Sequence, residues 1–468
     1  MSTAETKRGG LFGWLDDRFG IAPLVDYMLH KEVPLGNHSM FWYYLGGLTL
    51  FFFSVQVATG LLLLVYYQVG EATSYESIRF ITTKVPFGWL VRAMHCWSAH
   101  LMIVSLVLHM LSTMMLKAYR RPRELTWLTG VGLFFIALGF GFSGYLLPWN
   151  ELAFFATSVG TDSVKGVPFV GNWLMQVMRG GADVSAQTLY RFFALHVVLL
   201  PLVIVGVVAV HLLFIQRQGM APPLGLAEHG QEAPGAPRRK GMRFFPDFAV
   251  RDLLLWLICL ILLGGLAVFL PYGPGIPGVE WELGAKANPL ASAYPGIKPE
   301  WYFLWVYQLL KEFPAHLAGV EGSELALLAI SALFGLWIAI PFLDRRASKQ
   351  EPSPAFTDLG VAAVIFIAFL TLKAWDIGGG TGALPDPVLV ARACSLWMLG
   401  AGAAVTVYRF FLLRQRFFLF SGAGLLQVAL HGFGMGYLLA ATIAVVLVAV
   451  GLAVLAMRKP AASPGGHQ

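Results

Sequence analysis

Residues 95–109 read "HCWSAHLMIVSLVLH": a histidine at each end, a third at His100, and no acidic or basic residue between them. Extended to 90–116, the stretch is long and apolar enough to cross a bilayer as one helix, which takes about 20 residues. Similar runs lie near 41–67, 125–147, 190–215, 252–270, 324–343, 356–375, 388–412 and 432–457. Membrane-spanning strands would show weaker ten-residue alternation, and none is seen. Composition agrees, with 57% of the 468 residues hydrophobic and 13% charged, against about a quarter charged in soluble domains. The expected fold is an all-α polytopic membrane protein, a helical bundle of about nine transmembrane helices.

An imidazole inside a membrane is costly and asks for a use. His95 and His109 are fourteen residues apart; in "RFFALHVVLLPLVIVGVVAVH", 191–211, His196 and His211 are fifteen apart. At ~100° per residue, fourteen steps leave an offset of ~40° and fifteen leave ~60°, so each pair keeps roughly one face. At ~1.5 Å rise its members stand ~21–23 Å apart. Two such helices side by side make two stacked bis-histidine sites, one near each membrane surface. Haem iron takes axial imidazoles, and bundles build cofactor sites from facing helices. The expectation is therefore a four-helix dihaem core, with His95 and His196 on the iron of an outer haem and His109 and His211 on that of an inner one. A single such histidine would be read as a bond to a neighbouring helix; two matched pairs shift the balance to iron. His100 points ~140° away from His95 and is expected to be structural.

Glycines carry the same repeat. Gly46 and Gly60, and Gly130 and Gly144, are each fourteen apart, and a haem sandwiched between helices needs flanks without side chains. Small residues also aid helix packing in membranes, so the repeat rather than the residue type is the signal. Arg92 and Arg191 sit at the outer ends of the two histidine spans, where guanidinium groups suit haem propionates; ordinary interfacial snorkelling is the alternative.

Basic residues cluster in alternate loops: Lys117, Arg120, Arg121 and Arg123; Arg217, Arg238, Arg239, Lys240, Arg243 and Arg251; Arg345, Arg346 and Lys349. Loop 271–323 has three basic residues against five acidic, and 376–390 has only Asp376 and Asp386. The positive-inside rule then puts the basic loops and the N-terminus in the cytoplasm of a cell whose inner membrane holds the protein. The net charge of +7 is accounted for by topology among membrane lipids, with no nucleic-acid partner. Cys96, Cys259 and Cys394 lie in apolar stretches without CxxC or CxxCH, which argues against disulfides and covalent haem attachment. No cleavable signal peptide is read in the mixed, charged "GGLFGWLDDRFG".

These features divide the chain into an amphipathic cytoplasmic segment (1–40), a four-span unit (41–216) and a Pro/Gly-rich cytoplasmic linker (217–246). A three-span unit (247–375) with the long loop 271–323 follows, then further C-terminal spans (376–457) and a tail (458–468).

"LGGLTLFFFSVQVATG", "RPRELTWLTGV", "SGYLLPWNELAFFATSVG" and "PEWYFLWVYQLLK", in this order, resemble cytochrome b of the quinol-oxidising bc complexes across about 15–375. The resemblance implies two non-covalent b haems and a Rieske iron–sulfur protein as partner. It also implies a c-type cytochrome subunit or acceptor, and a complex that is a homodimer. It places Pro299, Glu300, Trp301 and Tyr302 at an outer quinol-oxidation site, with Glu300 and Tyr302 catalytic, and implies electron bifurcation to the Rieske protein and the b haems. Quinone reduction would occur at an inner site, with Asp252 catalytic and Arg251, Asp26 and Arg217 assisting, the whole coupled to proton translocation. The first half is most similar to the photosynthetic branch, although the chain continues through the linker as in the respiratory branch. Tyr44 stands where that branch has the cysteine tethering an extra haem, and Gln216 where it has an arginine, so no covalent haem is expected. The alternatives are a dihaem anchor of another quinone-linked dehydrogenase, which leaves "PEWY" unexplained, and a transporter, which would not pair its histidines.

Overall fold

The computed structural model describes residues 10–34, 41–222, 241–275, 279–291, 297–313 and 316–375, apart from Pro168 and Ala318. The expected spans 388–412 and 432–457 and the tail lie outside the described residues. Among those described, seven helices are long and apolar enough to cross a membrane.

In chain order, α1 (Gly10–Phe19) and α2 (Ala22–His30) precede a short strand β1 (Glu32–Pro34). The first span, α3 (Phe41–Leu64), is followed by α4 (Ser74–Lys84) and the histidine-bearing span α5 (Gly88–Met115). Next come span α6 (Glu124–Tyr145), then α7 (Glu151–Ser163) and α8 (Gly171–Arg179) in the connection that follows it. The fourth span is continuous from Ala186 to Gln218. It comprises α9 (Ala186–Ala194), a π-helical turn (Leu195–Leu199) and α10 (Leu200–Gln218). After β2 (Gly241–Arg243) the fifth span runs through α11 (Ala249–Phe269). The long loop carries α12 (Leu304–Glu312), and α13 (Gly322–Leu343), α14 (Arg345–Ser348) and α15 (Pro354–Ala374) complete the described chain.

The linker expected at 217–246 carries a short strand near its far end. Gly241–Arg243 pairs antiparallel with Glu32–Pro34, Val33 opposite Met242, which ties the N-terminal segment to the start of the fifth span. That span is entered through a kink, since Phe245 has the extended backbone φ −117°, ψ 133°, and the regular helix α11 then starts at Ala249, a few residues before the apolar run 252–270.

Helix α3 packs along α5 and α6 along α10, and α11 closes against α5 and α3. Phe51, Phe52, Met102, Leu106, Trp127 and Val131 are buried at the centre of this bundle. Outward-facing Leu253, Leu257, Ile258 and Ile261 of α11 and Leu202 and Val205 of α10 are exposed. Such residues on spanning helices suit lipid, since backbone polar groups are satisfied within the helix. At one end, the α6–α7 connection is roofed by the long loop: Glu151 N donates to Ala285 O at 2.9 Å and Ala287 N to Trp149 O at 3.0 Å. Trp149 is fully buried there. At the other end, Tyr119 Oη donates to Asp344 Oδ2 at 2.7 Å, both buried. Arg123 donates to the carbonyls of Gln218 and Gly219, capping the open end of α10.

Candidate functional site

The histidines come together in the pairs expected. His95 is an electrostatic neighbour of His196, and His109 of His211. Among the described residues no three His, Cys, Asp or Glu side chains converge, so each pair offers two ligands, the number haem iron takes axially.

The four glycines each face one of these rings. A methyl group replacing the glycine hydrogen would lie 3.1 Å from His109 Cε1 at Gly46 and 3.4 Å from His95 Cε1 at Gly60. At Gly130 it would lie 3.4 Å from His211 Cε1, and at Gly144 2.5 Å from His196 Cε1. The fourteen-residue repeat is thus a clearance for four imidazoles, from α3 toward α5 and from α6 toward the fourth span.

The fifteen-residue spacing of the fourth span has a local cause. Its π-helical turn, Leu195–Leu199, contains His196 and is followed by Leu200 and Pro201 at the start of α10. Proline has no N–H and crowds the preceding turn; a wider π turn relieves this and takes up one extra residue. His196 is thereby brought back toward the relation to His211 that His95 has to His109.

Three hydroxyls set the ring tautomers. Thr59 Oγ1 lies 2.8 Å from His95 Nδ1 and donates its proton to Val55 O at 2.7 Å. Thr129 Oγ1 lies 2.9 Å from His211 Nδ1 and donates to Leu125 O at 2.9 Å. Ser143 Oγ lies 3.1 Å from His196 Nδ1 and donates to Gly139 O at 2.7 Å. With its one proton committed to a carbonyl, each hydroxyl accepts from the imidazole, so Nδ1 carries the ring proton and Nε2 is bare for a metal. The fourth ring differs: His109 Nδ1 is buried without a partner among the described residues. The residues present therefore fit haem at both pairs. Thr59→Val is expected to weaken haem retention at the His95 pair by about tenfold, the usual scale for losing such a partner. Its midpoint potential should rise, because a less electron-rich imidazole stabilises ferric iron less. Redox titration of the intact complex checks both, and an unchanged potential would remove the role given to Thr59.

Arg92 is buried, and its Nη2 donates to Trp281 O at 2.6 Å. Arg191 Nη1 donates to Val177 O at the end of α8. Each thus has one arm held by a neighbouring loop or helix, and a guanidinium has five N–H donors.

At the His95 end the long loop lays "PEWY" against α5 and α6. Trp301–Phe303 forms a 3-10 turn, and Tyr302 packs where Gly141 of α6 has no side chain, a methyl there falling 2.5 Å from its Oη. A small cavity is lined by Phe142 and Tyr145 of α6, Ala156 of α7, and Pro299, Glu300 and Phe303. Glu300 Oε2 is buried without a hydrogen-bond partner among the described residues. Burial away from water pushes its carboxyl up to about 8. Burial and the nearby Glu300 and Tyr145 hold the Tyr302 phenol well above its usual range. Trp301 Nε1 donates to His100 Nδ1 at 2.9 Å. His100 accordingly has a structural partner, as expected of it, but one that belongs to this loop.

At the His109 end, Asp252 of α11 approaches α3 at Gly47. A methyl on Gly47 would fall 2.6 Å from Asp252 Oδ2. Asp252 Oδ1 is buried without a partner among the described residues. Tyr44 stacks on Phe248, ring centroids 4.4 Å apart, with Arg251 nearby. The adjacent glycines of "LGGL" therefore serve two clearances, Gly46 for His109 and Gly47 for Asp252. Arg217 is exposed near the end of α10. Asp26 is exposed on α2 and pairs with His30 at 3.2 Å.

Seven spans among the described residues, with two stacked imidazole pairs each cleared by glycines, define the class of membrane-embedded haem proteins. Residues 30–219 match the family described as cytochrome b/b6/petB, and residues 286–399 the C-terminal family of cytochrome b, b6 and petD. The chain is 47% identical over 375 residues to the cytochrome bc complex cytochrome b subunit of Chlorobaculum thiosulfatiphilum, covering 79% of this chain and 82% of that one. It is 41% identical over 220 residues to the menaquinol:cytochrome c reductase cytochrome b subunit of Bacillus subtilis (strain 168), covering 46% of this chain and 98% of that one. A solved structure titled hyperthermophilic respiratory Complex III aligns with a TM-score of 0.67 at 25% identity, covering 90% of this chain and 99% of that one. The chain belongs to the cytochrome b family: it is the haem b-binding, multi-pass membrane subunit of a bc-type oxidoreductase complex.

Proposed function

We propose that the chain is the dihaem subunit of a quinol:cytochrome c oxidoreductase, or of one with a similar acceptor, in the cell's cytoplasmic membrane, its N-terminus and His109 end facing the cytoplasm. Two non-covalent haem b groups, on His95/His196 and on His109/His211, supply when bound a one-electron path between the membrane faces. Division of the two quinol electrons between a Rieske protein and that path is what the resemblance implies. The residues themselves handle the substrate and its protons.

Glu300 carries the reading: its Oε2 is buried without a hydrogen-bond partner among the described residues, and it lines a cavity against Phe142 and Tyr145 of α6, next in sequence to the Gly144 that clears His196. Quinol must shed two protons as it loses two electrons. A carboxylate within reach of one hydroxyl accepts the first at a cost that water, excluded here, would otherwise bear. Pro299, Trp301 and Tyr302 hold that carboxylate and exclude solvent. On the cytoplasmic side Asp252 is the group placed to deliver a proton to a quinone undergoing reduction. Arg251 beside it favours an anionic reduced product, and Arg217 and Asp26 lie exposed where protons enter from water.

Quinol added to the purified complex should reduce its haem, seen in the reduced-minus-oxidised spectrum. A spectrum that responds to dithionite but never to quinol would overturn the reading. Haem staining after denaturing electrophoresis should leave this polypeptide unstained, because Tyr44 offers no thiol; a stained band at its mass would show covalent attachment.

A further inference from the structure

Helix α5 holds the long loop at three points around His95. Arg92, three residues before it, donates to Trp281 O at 2.6 Å. Trp97, two after it, donates through Nε1 to Leu270 O at 2.9 Å and meets the Trp281 ring edge-on at 4.8 Å. His100, five after it, stacks on Trp281 with centroids 5.4 Å apart and accepts from Trp301 Nε1 at 2.9 Å. The first two contacts fix the start of the loop. Only the third reaches "PEWY", and it does so through the residue that follows Glu300.

We propose that His100 is a positioning residue of the quinol-oxidation site: by accepting the Trp301 indole proton it pins the turn after Glu300 to the haem-bearing helix and so aims the Glu300 carboxyl into the cavity. The proposal rests on the reading of Glu300 given above. An indole N–H can only donate, so the bond requires His100 Nδ1 to be bare, with the proton on Nε2. A fully protonated imidazole could not accept it. The ~140° between His95 and His100 lets one helix present a ligand to the haem and a latch to the loop. Among the described residues Glu300 Oε2 has no hydrogen-bond partner that would fix its direction, so its aim depends on the flanking residues. Among the described residues its titratable neighbours are Cys96 of α5 and Tyr302 of its own turn, with Arg92 beside Cys96 and Tyr145 of α6 beside Tyr302.

Two variants of the intact complex separate ring from bond. His100→Phe keeps a flat ring against Trp281 and removes the acceptor; His100→Gln restores an acceptor through Oε1. Quinol-driven haem reduction is followed from pH 6 to 9, with haem spectra and midpoint potentials as assembly readouts. His100→Phe should keep both and slow reduction by about tenfold, with a displaced pH profile, the scale of a misaimed catalytic group. His100→Gln should recover most of the rate and the parental profile. Equal impairment of both variants, or a parental rate and profile in His100→Phe, would overturn the proposal. If His100→Phe fails to assemble, Trp301→Phe breaks the same bond from the loop side, and an unchanged rate there is equally decisive against it. Glu300→Gln tells the two readings apart: if it is slow while His100→Phe is normal, only the latch fails; if it is normal, the base assignment fails with it.

Discussion

Replacing His109 with leucine is expected to remove the haem at the His109/His211 pair and to spare the one at His95/His196, so that haem per polypeptide falls by about half. The two pairs stand ~21–23 Å apart along their helices, each has its own glycines, and no ligand is shared between them. His211→Leu should give the same loss, and His95→Leu or His196→Leu the complementary one. Haem quantitation with optical spectra and redox titration distinguishes the cases: one titrating component should vanish while the other keeps its potential. Loss of only the His95/His196 component in His109→Leu would overturn the pairing, and the assignment of membrane faces with it.

Much of this site is legible in the sequence because its parts repeat at a helical period. Fourteen-residue spacings of histidine and of glycine survive as spacings whatever the helices do in detail, and the structure pairs them one glycine to one ring. The hydroxyls were equally legible and were missed. Thr59, Thr129 and Ser143 each stand immediately before one of the four glycines, and the exception, Leu45 before Gly46, belongs to the one ring whose Nδ1 has no partner among the described residues. A residue beside a clearance glycine shares its helix face closely enough to reach the same imidazole, which is the physical content of that dipeptide.

Other features were not legible. The π turn at His196 depends on how a span accommodates Pro201, and a kink is another way to accommodate an intrahelical proline. The partner of His100 lies 201 residues away in the chain, so no local pattern announces it. The seven spans among the described residues match the first seven apolar runs, since hydropathy reads the lipid-facing surface directly. Asp26 is different: its place near the inner site is what the resemblance implies, and its exposure on α2 beside His30 is a side-chain direction that composition does not encode.

The second large effect concerns Glu300. Glu300→Gln keeps the shape of the side chain and removes its ability to take a proton, so haem content and spectra should persist while quinol-driven reduction falls by about 10²-fold, within the range for loss of a general base. The pH dependence follows from the same burial. The carboxyl, pushed up to about 8 by burial away from water, is largely protonated at neutral pH, and only its ionised form can accept from quinol. In the parent enzyme the rate should therefore rise as pH is raised through about 8, and fall as pH drops below it, because protons then occupy the base. In Glu300→Gln that limb should flatten, leaving the slow rate nearly independent of pH. Glu300→Asp should keep a sloping limb but run slowly, since the shorter side chain retains the base and withdraws it from the cavity. Rapid-mixing measurements from pH 6 to 9 on fully haem-loaded complex decide the matter: a Glu300→Gln rate and profile equal to the parent's would mean that another group receives the first quinol proton.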